Sequence, residues 1–164
     1  METPRLAKAA LLMFAALQTV FYYNKLPDNI ASHFNGRGLA DRWTSKPAWL
    51  LAYWICLGLA LGISLGIPAL VARLPRQLIN LPRKEYWLSE EKYPEAMTLL
   101  RIHFHWLGVI LLSLQVAVFQ IVFQANLSRP AELSGWFIAV LVAFVLALLV
   151  WIVRFTTRFR QVPE

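Results

Sequence analysis

The chain has 164 residues, 59% of them hydrophobic and only 15% charged, with a mean hydropathy of +0.53. A soluble domain of this size lacks the interior to hide so much apolar surface, so the composition excludes a water-soluble fold and indicates an integral membrane protein. The formal net charge of +7 comes from basic residues beside apolar blocks, with no soluble domain to present them, so it signals topology and excludes a nucleic-acid partner.

Four apolar blocks, residues 6–23, 48–71, 106–125 and 136–153, contain 18 to 24 residues each. At 1.5 Å per residue they reach roughly 27 to 36 Å, enough to cross the hydrocarbon core once with modest tilt. The expected fold is therefore all-α, one membrane domain over residues 1–164 with four transmembrane helices.

At the first block, Arg5 and Lys8 followed by Ala9 to Phe21 also look like the basic and apolar regions of a signal peptide. It runs into Tyr22, Tyr23, Asn24 and Lys25 without a small-x-small cleavage site, so a retained anchor is expected. Eleven of the sixteen Lys and Arg lie at the amino terminus, in the connection 73–101 or after the last block. The positive-inside rule then places both termini and that connection in the cytoplasm, and residues 24–47 outside.

Residues 24–47 form a long connection without helical periodicity, and such a segment is expected to be either functional or disordered. Its apolar anchors Pro27, Ile30, Phe34, Leu39 and Trp43 argue for a folded cap, with Gly36 and Gly38 admitting tight backbone turns. Asp41 is placed to accept backbone hydrogen bonds, to pair with Arg42 or Lys46, or to meet His33. His33, Asp41 and Asp28 supply too few ligands for a structural zinc set, and neither a nucleophile with an orienting base nor a phosphate loop is present. No catalytic residue, metal or cofactor is therefore expected.

The second block carries Gly58, Gly62 and Gly66 four residues apart, on one helical face where another backbone can approach closely. Contact with a helix of the same chain is the first expectation, and a dimer seam the alternative. Pro68 predicts a kink or helix exit near the end of that block. The lone Cys56 reads as a buried, inert thiol.

Within the connection 73–101, apolar and basic residues interleave and Pro75, Pro82 and Pro94 interrupt helices, a pattern that suits short amphipathic pieces at headgroup level. Pro94 suits the first turn of a helix running to about Asn126, close to 50 Å long. His103 and His105, two residues apart on that helix, point about 200° apart and form no chelating pair. Gln120 and Gln124 near its outer end predict that the 24–47 connection folds back onto them. The last block has no strongly polar residue, with Trp136 and Trp151 as expected interfacial anchors. After it, Arg154, Arg158 and Arg160, interleaved with Phe155 and Phe159, read as a headgroup contact.

The segment LPDNIASHFNGRGLADRWTSK, with Leu-Pro, Ile, His-Phe-Asn, Gly, Asp and Lys in family-like order after a transmembrane helix, resembles the bacterial membrane family designated domain of unknown function 1648. The best-known setting of that family is the amino-terminal part of SdpI-type immunity proteins. NLPRKEYWL, with Asn80, Pro82, Tyr86 and Trp87, is similar to a second segment found after the second helix of small members. The resemblance marks Pro27, His33, Phe34, Asn35, Gly36, Asp41 and Lys46 as motif positions without catalytic roles. This chain departs from it at Ala31, often Pro in the family, and in having only four spans.

The resemblance implies a bacterial cytoplasmic-membrane protein, non-enzymatic, whose outer loop recognises a peptide or envelope ligand for immunity or signalling. An accessory subunit of a larger membrane complex is the alternative, with a membrane-protein partner or a homodimer. A metal-dependent membrane enzyme at His33 and Asp41 is the third reading.

Overall fold

A computed structural model describes residues 2–161. Among them, four helices are long and apolar enough to cross a membrane: α1 (Glu2–Tyr23), α2 (Lys46–Val71), α4 (Tyr93–Ala125) and α5 (Trp136–Arg160). The protein is a multi-pass membrane protein. The starts agree with local chemistry, since Ser45 enters α2 with extended backbone before Pro47, and Pro94 occupies the first turn of α4.

The helix α4 is the hub, packing against α1, α2 and α5. Buried positions follow a helical stripe on each partner: Lys8, Ala15, Gln18 and Tyr22 on α1; Trp49, Tyr53, Leu57, Ala60 and Ser64 on α2; His105, Gly108, Leu112, Val116 and Phe123 on α4. Aromatic rings fill the upper half of this three-helix core. Tyr53 stacks on Phe119 with centroids 4.1 Å apart, and Tyr22 stacks on Phe123 at 4.7 Å.

One expectation about the helices changes here. Gly58, Gly62 and Gly66 face no other helix among the described residues: a Cβ added at any of them would meet no atom within 4 Å beyond its chain neighbours and the adjoining backbone of α2. The buried stripe of α2 runs through Ala60 and Ser64, two residues from Gly62 and Gly66 and so about 200° around the helix. Pro68 lies buried in the last turn of α2, which ends three residues later at Val71, in keeping with the expected exit near that end.

The connection between residues 24 and 45 is a β-hairpin, so the class is α-helical with a small sheet and not all-α. Strand β1 (Asn29–Phe34) pairs antiparallel with β2 (Ala40–Ser45), with irregular register on either side of His33. The end of the bundle carrying it is called the hairpin end.

At the opposite, far end, a 3-10 turn (Arg76–Leu78) and a single helical turn, α3 (Lys84–Trp87), fold over the start of α4. They bury Ile79, Leu81 and Trp87 in a second core with Ala96, Met97, Leu100 and Phe159. The Trp87 indole N–H donates to the Phe159 carbonyl at 2.8 Å. Phe155 and Phe159 are thus packing residues here, and the expected headgroup role of the tail is reduced to its arginines; Arg158 meets Glu95 at 3.4 Å. Trp151 likewise packs inward, donating to the His103 carbonyl at 2.8 Å, whereas Trp136 is exposed.

Candidate functional site

The hairpin is built by the motif residues themselves. Asn35 opens the turn: its side-chain oxygen accepts from the backbone N–H of Arg37 at 2.9 Å and of Leu39 at 3.2 Å, an Asx turn. Gly38 takes φ +80°, the left-handed backbone that costs glycine nothing. Gly36 sits in open space with no such requirement. Behind the turn, the His33 Nδ1 and the Asp41 carboxylate meet at 2.5 Å across the strands. Of the partners available to Asp41, the structure selects His33. Among the described residues no third His, Cys, Asp or Glu joins them.

Lys46 closes the root of the hairpin. Its ammonium donates to the carbonyls of Leu26 at 2.9 Å and Tyr23 at 3.3 Å, and lies 3.4 Å from the Asp28 carboxylate. The Tyr23 carbonyl is that of the last residue of α1, where a cation also complements the helix dipole, and Leu26 follows three residues later. The Lys46 backbone N–H donates to the Asp28 carbonyl at 2.8 Å, tying the first residue of α2 to the start of β1.

Docking onto the bundle depends on a residue outside the motif. The Asn126 side chain, at the cap of α4, accepts from the Ala31 N–H at 2.7 Å and donates to the Ala31 carbonyl at 3.2 Å. It thereby stands in for a neighbouring strand at one position of the β1 edge. The expected docking of this connection on α4 is therefore present, through Asn126 and not through Gln120 or Gln124. Gln124 is exposed, while Gln120 turns into the core and meets Gln18 and Tyr22.

The connection between α4 and α5 completes the cap. Ala40 N–H donates to the Ala131 carbonyl at 3.1 Å and Leu133 N–H to the Gly38 carbonyl at 2.9 Å. This third run of chain holds the hairpin tip over the start of α5. A cleft of about 520 Å³ opens between them, with His33, Phe34, Asn35 and Arg37 on one wall and Leu133, Phe137 and Ile138 on the other. A second cleft of about 570 Å³ lies between Pro27, Trp43 and Pro130. The first combines a basic side chain, an imidazole and exposed turn backbone with an apolar wall.

Residues 10–59 match the family model described as "Domain of unknown function (DUF1648)". This segment is a DUF1648 domain. The match begins in α1, takes in every motif residue of the hairpin and ends at the middle of α2. Asn126 and the α4–α5 connection, which hold the DUF1648 hairpin from outside, lie beyond it. No curated protein and no solved structure matches the chain significantly.

The second group of sequence-marked residues, Asn80, Pro82, Tyr86 and Trp87, lies at the far end of the bundle, away from the hairpin. Trp87 is its buried anchor and Asn80 is exposed. Arg83, after Pro82, adopts a left-handed φ of 53° as α3 begins.

Proposed function

We propose that this protein is a non-enzymatic, SdpI-related protein of the bacterial cytoplasmic membrane, with both termini inside. In this reading the DUF1648 hairpin faces outward and receives a peptide or another envelope ligand for immunity or signalling. The observation that carries the reading is the cleft between the hairpin tip and the start of α5. The motif explains why such a cleft would persist. Asn35, Lys46 and the His33–Asp41 pair of the motif, with Gly38 beside them, shape the hairpin, leaving Phe34, Arg37 and the part of the His33 ring not bound to Asp41 to meet a ligand. An apolar wall with few polar groups suits a short peptide better than a highly charged small molecule.

Replacing His33 and Asp41 together with Ala is expected to abolish protection of expressing cells against a peptide toxin, with about a tenfold or greater fall in tolerated concentration. The amount of protein inserted into the membrane should not change. Unaltered protection at unaltered abundance would remove the cleft from the function.

A second reading, a subunit of a larger membrane assembly, is favoured by the uncovered glycine face of α2. Three glycines open to the surroundings let another helix approach closely. Under this reading Gly62→Leu should break co-purification with a membrane partner or a second copy, without changing the fold of the isolated chain. Normal assembly after that change would discard it.

A further inference from the structure

The three-helix core contains a polar constellation remote from the hairpin. Lys8 of α1 is only 5% exposed, and its Nζ lies 2.8 Å from Ser64 Oγ of α2 and 2.8 Å from His105 Nδ1 of α4. Ser64 and His105 are buried as well. Gly108, one turn along α4 from His105, makes room for the contact: a Cβ there would sit 2.4 Å from Ser64 Oγ and 3.3 Å from Lys8 Cδ. The helices therefore converge on this point, and each contributes one polar group.

We propose that Lys8, His105 and Ser64 form a proton-binding site that makes the packing of α1 against α4 sensitive to pH. Two nitrogens 2.8 Å apart need one hydrogen on the line between them, with one nitrogen donating and the other accepting. An ammonium at Lys8 donating to a neutral imidazole satisfies this, and so, with the same proton count, does an imidazolium N–H donating to a neutral amine. The two arrangements are microstates of one coupled site. A second proton turns both groups into donors and both into cations, and the contact must then part. Ser64 does not relieve the conflict, because a hydroxyl has no charge to offer.

The neighbourhood reinforces that limit. Arg5, one turn from Lys8 on α1, is a further cation whose field reaches both groups. On α2 the group that faces the pair is Ser64, and no titratable side chain joins it there. On α4, His103 turns instead to Phe155 and Phe159 of α5, and Arg101 is exposed. Among the described residues Lys8 forms no ion pair with a carboxylate. An additional proton therefore enters a buried site of one sign, where ionisable groups are costly and are characteristic of proton-handling positions.

The sign follows directly. Contact between α1 and α4 is intact while the pair shares one proton, and it is lost as falling pH supplies the second. The full chain, reconstituted in nanodiscs of neutral phospholipid and labelled with [15N]histidine, provides the test. Substituting His33 and His103 with Asn assigns the His105 imidazole signals. Between about pH 8 and about pH 4.5 the wild type should take up one proton at His105. Its resistance to unfolding by sodium dodecyl sulfate should fall over the same interval. H105N, whose amide oxygen still accepts from Lys8, should lose that pH dependence, and K8M should displace the His105 titration from its wild-type position.

Loss of resistance that persists unchanged in H105N would overturn the proposal, as would a His105 titration indifferent to K8M. Should H105N fail to insert, the wild-type spectra decide alone: an imidazole that takes up no proton over the whole interval, or takes one up with no change in resistance, defeats it.

Discussion

Tyr53→Ala is expected to weaken the bundle more than any other single truncation in its upper half, by about 3 kcal/mol in a detergent-unfolding titration. Tyr53 is fully buried, stacks on Phe119 and approaches Phe123 edge-on. In lipid there is little hydrophobic gain in joining helices, so close packing and interhelical hydrogen bonds carry the association. Tyr53 supplies both, because its hydroxyl donates to Gln18 Oε1 at 2.8 Å. Gln18 in turn donates to Gln120 Oε1 at 2.8 Å and to the Val116 carbonyl at 3.2 Å, and Gln120 donates to the Tyr22 hydroxyl at 2.7 Å. Removing the ring leaves a cavity and withdraws the donor from Gln18. Tyr53→Phe separates the two contributions. It keeps the stack and should cost about 1 kcal/mol, in line with single hydrogen bonds between membrane helices. Equal losses in the two variants would place the stability in the hydroxyl and refute the packing account.

The other large effect is expected at the far end. Trp87→Ala should cost about 3 kcal/mol and free both the connection before α4 and the end of α5. Trp87 is 1% exposed, meets Phe159 edge-on at 5.4 Å, and is the donor to the Phe159 carbonyl near the end of α5. Its loss empties the centre of the second core. Hydrogen exchange should then accelerate between residues 76 and 92 and over the last turns of α5, while the hairpin end stays protected. Faster exchange at the hairpin instead would mean that the two cores do not act as separate units.

The four helices were readable because each needs only length and apolarity, and Pro94 marks the start of one of them. The hairpin was harder. Ile30 and Ala31 are adjacent and both buried, and the irregular pairing beside His33 breaks the alternation that identifies a strand. The glycines of α2 misled because close spacing shows that they share a face, without saying which face the chain covers. Gln120 and Asn126 show the same ambiguity at another scale: both are polar and near one end of α4, yet only the second reaches the hairpin.

Lys8 is the most instructive miss. Read as a flanking cation, it is instead part of the buried stripe, seven residues before Ala15 and ten before Gln18. That heptad relation was visible in the sequence. What the sequence lacked was the pairing of three distant segments that brings Ser64 and His105 to it.

The buried polar groups also settle a geometric freedom peculiar to apolar helices. Smooth hydrocarbon surfaces resist separation better than they resist sliding or rolling, so helices held by dispersion alone are poorly fixed in axial offset and rotation. Here the Lys8 and Gln18 contacts sit ten residues apart on α1, about 15 Å along the axis, and both reach α2 and α4. A displacement by one residue in any of the three helices breaks both at once. Two such rungs act as a vernier, fixing the height at which α1 and α2 deliver their ends to the hairpin and thus the span its strands must bridge.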